Sequence, residues 1–346
     1  MNQGPQFASD NWSGLCPEAM EFFVRANAGS APAYGNDEWT SRAADAIREL
    51  FEHDAEIFFA FNGTAANSMA LAHLCRPYQA VICHAWSHIE TDECGAPGFF
   101  TQGARLLLAR SQSGKLTPDA VEQLASHDGD FRFPKPAVLS LTQSTEVGTI
   151  YTPCEIALLA QLAQERNMKV HMDGARLMNA VAALATSPAE ATWKAGVDVL
   201  SLGASKNGGG IGDTVVFFDR ELARDFEFRC KQSGQMAAKM RLIAAPLLGL
   251  IESGAWLRNA RHANECAAYL AKRLSQVGVE PRFPPEANAV FVQLPERAVD
   301  ELRHRGWPLH VSACHGAARF MCGWDTTREQ IDLLLNDLEQ SLRNQS

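Results

Sequence analysis

An aspartate and a lysine with complementary chemistry, Asp173 and Lys206, each stand at the end of a short apolar run. Residues 170–172 read as a buried strand that delivers Asp173 and Arg176, and residues 197–202 as a second strand that delivers Lys206 into a glycine-rich bend. A carboxylate beneath a pyridinium nitrogen keeps that nitrogen protonated, so the ring accepts electrons, while a lysine amine can carry an aldehyde as a Schiff base. The same residues also fit blander roles, an Asp-Gly turn and a solvated loop lysine.

The flanking residues favour the first reading. HMDGARLMNA (171–180) and SLGASKNGGG (201–210) resemble the pyridoxal-phosphate (PLP) enzymes of the threonine aldolase branch of the beta-eliminating lyase superfamily. The likeness runs from SDNWSG (9–14) to the segment around Arg319. It implies an α/β protein of PLP fold type I, with a mostly parallel seven-stranded sheet in the large domain and a small C-terminal α/β domain. It also implies cleavage of L-threonine and L-allo-threonine to glycine and acetaldehyde, with tolerance for aryl side chains. The expected assembly is a homotetramer, a dimer of dimers whose sites use residues of both subunits. Another PLP chemistry on the same fold, β-elimination or transamination, would keep Lys206 and Asp173 and change the groups near Cβ.

The resemblance assigns roles residue by residue. Lys206 would carry the aldehyde and Asp173 would hold the ring nitrogen. Gly63, Thr64 and Asn67 would hold the phosphate, and His88 would stack on the ring with the acid Glu93 near it. Arg176 would meet the amino-acid carboxylate or its surroundings. Arg229 and Lys231 supply a basic group for the phosphate, in some relatives across a subunit boundary. Arg319 would be the principal ligand of the substrate carboxylate, assisted by Ser9 from the opening segment. Where the family shows a Glu-Asn-Thr-His-like run, this chain has Gln143, Ser144, Thr145 and Glu146, so that wall of the pocket departs from the pattern.

The elements that must position these residues follow an α/β order. FNGTAANSMALAHLC (61–75) reads as a strand end, a turn at Gly63 and a helix from Thr64, whose free N–H groups and positive end favour a phosphate. There is no GxGxxG, which counts against a nicotinamide fold. Helices are expected at 17–26, 39–51, 153–167 and 255–276, and short strands at 57–60, 80–84, 137–141 and 214–218. The segment 85–96, which holds His88 and Glu93, is too polar and glycine-rich to be a core helix. Residues 236–250 are apolar on nearly every face and must be covered, either by the chain's own core or by a second subunit. Gly208, Gly209, Gly210 and Gly212 would let the backbone pass close to a cofactor or a neighbouring subunit. GVEPRFPPEAN (278–288) marks a boundary before a β-α-β-β-α unit. The expected division is 1–14 as a segment contributing to the pocket, 15–250 as the PLP-binding domain, and 251–346 as a linking helix and small domain.

Composition narrows the partners. With 346 residues the chain can bury a large core, and its net charge of −9 disfavours a nucleic-acid binder, which needs a concentrated basic face. The opening residues lack the charged and apolar regions of a signal peptide, and no apolar run approaches the roughly 20 residues of a membrane span, so a cytoplasmic protein without membrane partners is expected. Nine cysteines with no CxxC pair read as free thiols without structural zinc. The pair Cys314–His315 reads as packing rather than a nucleophilic dyad.

Overall fold

A computed structural model describes residues 5–312 and 315–343. The large sheet contains β1 (Glu56–Ala60), β2 (Gln79–His84), β3 (Arg105–Ala109), β4 (Lys135–Thr142), β5 (Lys169–Gly174), β6 (Val199–Gly203) and β7 (Asp213–Phe217), in the spatial order β1-β7-β6-β5-β4-β2-β3. Its β3, β2, β4, β5 and β6 pair in parallel, and β7 runs antiparallel to both neighbours. β6 and β7 are buried along their whole length, and β5 is buried from Val170 to Gly174. This is why these strands read as near-continuous apolar runs rather than alternating ones.

The apolar run after residue 236 becomes the helix Arg241–Glu252, with Ile243 to Leu250 all buried. The chain's own helices Pro17–Ala26 and Glu38–Phe51 pack on it. No second subunit is required to cover it. Arg241, itself buried, donates to the Ala26 carbonyl at 2.8 Å and so satisfies the carbonyl end of the Pro17–Ala26 helix.

A second sheet lies beyond the long helix Ala255–Gln276. It comprises β8 (Ala289–Val292), β9 (His310–Val311) and β10 (Ala318–Met321) in the order β8-β10-β9, all antiparallel. Arg319 on β10 stands opposite Phe291 and His310. Phe7, 1 % exposed, packs into the core of this unit with Leu270, Leu274 and Phe320, and the Phe7 carbonyl accepts from the Met321 amide at 2.8 Å.

Three local details differ from the sequence reading. Gly63 makes no separate turn: Asn62 caps the helix Gly63–Leu74 by accepting the Ala65 amide at 2.9 Å, and Gly63 is its first residue. His88–Thr91 forms one helical turn despite its polarity, closed by the Thr91 amide to the Ser87 carbonyl at 3.1 Å and the Asp92 amide to the His88 carbonyl at 2.9 Å. Helix Pro153–Glu165 ends two residues before Asn167, which takes a left-handed conformation. Among the described residues the eight cysteines are free, and no helix is long and apolar enough to cross a membrane. Cys314 lies outside the described residues.

Candidate active site

β5 and β6 end side by side, with Asp173 in register with Thr142 of β4 and Ser201 of β6. A Cβ at Gly203 would come within 2.7 Å of the Ala175 Cα, so only glycine lets the chain leave β6 this close to the turn after β5. The short turn Ser205–Asn207 then carries Lys206. Lys206 and Asp173 line one cavity of about 280 Å³, with Gly63, Thr64, Asn67, His88 and Arg176 among its other walls. The cavity sits at the carboxyl ends of parallel strands, where open α/β sheets bind ligands.

A hydrogen-bonded chain fixes Asp173. Its Oδ1 accepts the Ala175 amide at 3.0 Å and its Oδ2 accepts Asn67 Nδ2 at 2.8 Å. The same Asn67 nitrogen lies 2.9 Å from Glu93 Oε1, which is also 2.8 Å from His88 Nδ1. Burial pushes the Asp173 carboxyl up, but the charges of His88 and Lys206 with the Asn67 and Ala175 bonds outweigh it and hold it below its usual range. For His88, burial works against the charged ring, yet Glu93, Asp173 and Glu146 raise it. Glu93 is raised chiefly by its burial, against the lowering effect of its bonds to His88 and Asn67. Asn67 Oδ1 and Glu93 Oε2 are buried without a partner among the described residues.

At the other end of the cavity, Gly63 and Thr64 begin a helix of 12 residues. Their N–H groups belong to the first turn and have no intrahelical acceptor. Asp213, on the first residue of β7, accepts the Ala204 amide at 3.1 Å and lies 3.1 Å from where a Gly63 Cβ would be. Burial raises its carboxyl in spite of Lys206. The glycines after Lys206 pack on this chain's own side chains: Gly208 on Cys16 and Trp324, Gly209 on Leu250, Gly210 on Leu15 and Gly212 on Ile243. Gly210 and Gly212 also border the cavity, so their close approach serves an intramolecular fit as well as the site.

The arginines are used unequally. Arg176 borders the cavity, but its fork is taken by Asp10, with Nε donating to Oδ2 at 2.8 Å and an Nη donating to Oδ1 at 2.9 Å. Asn288 Nδ2 donates to Asp10 at 3.0 Å. Burial would raise the Asp10 carboxyl, yet Arg176, Lys206 and Asn288 hold it at about 2. Arg319 lines an adjoining cavity of about 180 Å³ with Trp86, Phe291, His310 and His315. One Arg319 Nη donates to the Ala8 carbonyl at 2.9 Å, while its buried Nε has no acceptor among the described residues. His88 and Glu146 border both cavities and join them.

Not every expected residue meets these cavities. Ser9 caps the turn Asp10–Trp12 by accepting the Asn11 amide at 3.2 Å, and Asn11 is the residue of that segment that borders the larger cavity. Arg229 and Lys231 lie on the helix Phe226–Gln232, outside both cavities, with the Lys231 ammonium 4.5 Å from the Tyr34 ring centroid. Conversely Asp10, Asn11, Glu146, Asp213 and Asn288 belong to the site or its support and carry no assignment from the sequence. Three of them had a signal: Asp10 and Asn11 stand inside SDNWSG, and Glu146 ends the run that departs from the family pattern.

Comparison with known proteins agrees with this architecture. A sequence profile described as "Beta-eliminating lyase" matches residues 6–297. The chain is 54 % identical over 334 residues to the low specificity L-threonine aldolase of Pseudomonas aeruginosa, covering 96 % of each protein. It is 52 % identical over 338 residues to the enzyme of the same name from a Pseudomonas species, covering 97 % of this chain and 98 % of the relative. Among solved structures, the threonine aldolase of Leishmania major superposes with a TM-score of 0.91 at 26 % identity, covering 97 % of this chain and 99 % of that one. With a match over most of its length and relatives above half identity, the chain belongs to the beta-eliminating lyase family.

Proposed function

We propose that the protein is a PLP-dependent aldolase that cleaves L-threonine, L-allo-threonine and other L-β-hydroxy-α-amino acids such as phenylserine to glycine and an aldehyde. One observation carries the reading: Asp173 and Lys206, at the ends of adjacent strands, share a cavity with the free N-terminus of a helix. The residues suit the cofactor. Buried Asn67 Oδ1 lacks a partner among the described residues, and an amine, a carboxylate and an anion-binding helix end all border the same space. PLP supplies, when bound, an aldehyde and an electron-accepting ring. Lys206 would hold the aldehyde, Asp173 the ring nitrogen, Gly63 and Thr64 the phosphate, and His88 the ring face.

The chain's own groups then do the following. Asp173, its carboxyl held low by its neighbours, would keep a facing ring nitrogen protonated. Asn67 fixes Asp173 and Glu93 together, so the carboxylate and His88 cannot drift independently. The unmatched Nε of Arg319 offers a charged donor to a substrate carboxylate, while Arg176 supports the wall through Asp10. Trp86, Phe291 and His315 give the adjoining cavity aromatic walls, which suits both small and aryl β-substituents.

Alongside this we infer a cytoplasmic homotetramer. For Arg229 and Lys231 to meet a phosphate, a second subunit must present them. We also infer a working division into 1–14, 15–250 and 251–346. Incubating the PLP-loaded protein with L-threonine should release glycine and acetaldehyde in equal amounts. Release of 2-oxobutanoate and ammonia instead would assign it to β-elimination.

A further inference from the structure

The loop after β4 is held on both sides of a single free carboxylate. Before it, the Gln143 side chain bonds both backbone groups of Tyr151, donating to the carbonyl at 2.8 Å and accepting the amide at 3.0 Å. The Gln143 backbone bonds Asp173 and Arg176, tying the loop to the end of β5. Thr145 and Thr149 close the turn through their hydroxyls at 2.7 Å and through the Thr145 amide to the Thr149 carbonyl at 2.9 Å. Val147, 1 % exposed, is anchored among Phe283, Phe291 and Met321 of the second sheet unit. Every side chain from Gln143 to Thr149 is buried except that of Glu146.

Glu146 is half-buried, borders both cavities, and makes no hydrogen bond or ion pair among the described residues. It lies within electrostatic reach of His88, Arg176 and Arg319. A loop this firmly bonded, at an apex between the cavity of Lys206 and the cavity of Arg319, presents a carboxylate where the atoms between a substrate's Cα and its β-substituent must lie. His88 is the other titratable side chain shared by the two cavities, but its Nδ1 is engaged with Glu93. Its other nitrogen, Nε2, lies 3.6 Å from the Asp92 carboxylate.

We propose that Glu146 takes the proton of the substrate β-hydroxyl as the Cα–Cβ bond breaks, an inference that rests on the aldolase reading. The O–H electrons become the second bond of the aldehyde carbonyl, and the Cα–Cβ pair stays with the glycine fragment. That fragment takes one proton at Cα from solvent, and Glu146 returns the proton it took from oxygen to solvent before the next cycle, so a turnover neither consumes nor releases a proton. In the synthetic direction the protonated Glu146 donates to the aldehyde oxygen.

The test uses the PLP-loaded enzyme and two reactions that share every step except the one at Cβ. Glu146→Gln should lower kcat for L-threonine cleavage by about 10²–10⁴-fold, the usual range for a general base. Exchange of the glycine α-proton with deuterated water, followed by NMR, should stay within about threefold of the parent, because glycine has no β-hydroxyl. Glu146→Ala should behave alike, and added formate should restore part of its cleavage activity. Cleavage by Glu146→Gln within about threefold of the parent, or parallel loss of glycine exchange, would overturn the proposal. A parent enzyme that exchanges glycine but releases none from L-threonine would overturn the aldolase reading with it, a result visible before any variant is compared.

Discussion

Asp10→Asn isolates the most deeply buried ion pair of the molecule's opening segment. Asp10 is 1 % exposed, receives both arms of the Arg176 fork and accepts from Asn288. Asparagine keeps the shape and one acceptor oxygen but leaves a buried guanidinium uncompensated. Breaking such a pair typically costs 3–5 kcal/mol, and the retained acceptor puts the expected loss near about 3 kcal/mol. A chain of 346 residues has an unfolding entropy of roughly 0.7 kcal/mol/K, so the loss should appear as a fall in Tm of roughly 4 °C near neutral pH. The pH dependence has a defined sign. Asp10 is lowered from 3.8 to about 2 in the folded chain, so its contribution is present above the unfolded value and is lost as pH falls through the folded one. At about 1.4 kcal/mol per unit this is roughly 2 kcal/mol at neutral pH, of which about half remains at pH ~3. Calorimetric scans of both proteins at the two pH values read the difference directly. A variant melting within about 1 °C of the parent, or a gap that does not narrow toward pH ~3, would refute the account.

Other variants probe the site itself. Lys206→Ala should lose the borohydride-reducible cofactor adduct, and an adduct that survives removes Lys206 from that role. Asp173→Asn should fold and bind cofactor but turn over at least about a hundredfold more slowly at saturating PLP, the scale of a removed preorganised charge; near-parent turnover would make Asp173 structural only. Arg319→Lys keeps the charge and loses the fork, so KM for L-threonine should rise about tenfold and kcat should fall while the visible spectrum of bound cofactor persists. Unchanged kinetics would remove Arg319 from the substrate site, and a lost spectrum would move it to the cofactor.

What the sequence made legible was local. Asp173, Lys206, Gly63, Thr64 and Asn67 stand where an apolar run stops or a helix starts, and those transitions are written in neighbouring residues. His88 and Glu93, five residues apart, came from family likeness, since the segment's polarity concealed a helical turn. The partners of the arginines were not legible, because they depend on pairing across the fold: Asp10 lies 166 positions from Arg176 and 278 from Asn288. Asp213 is marked by its burial and by its distance from Gly63, neither of which composition reveals. Glu146 stood out only as a departure from a pattern, and its isolation becomes visible once every neighbour in its loop is seen to be bonded.

The bonds that seat residues 7–13 have a consequence for the order of events during synthesis. Phe7 is held by Met321, Ala8 by Arg319 across 311 positions, and Ser13 by Asp325 across 312. At translation rates of about 5–20 residues per second, this segment waits roughly 15–60 s for its partners to be made. The seven-stranded sheet, complete at Phe217, can form during that interval, whereas the bonds that flank Asp10 and Asn11, from Phe7, Ala8 and Ser13, close only after the second sheet has been made. A chain stalled or cleaved before Arg319 therefore carries Lys206 and Asp173 on a formed sheet with one wall of the cavity left unfastened, and catalytic competence arrives with the last fraction of the polypeptide.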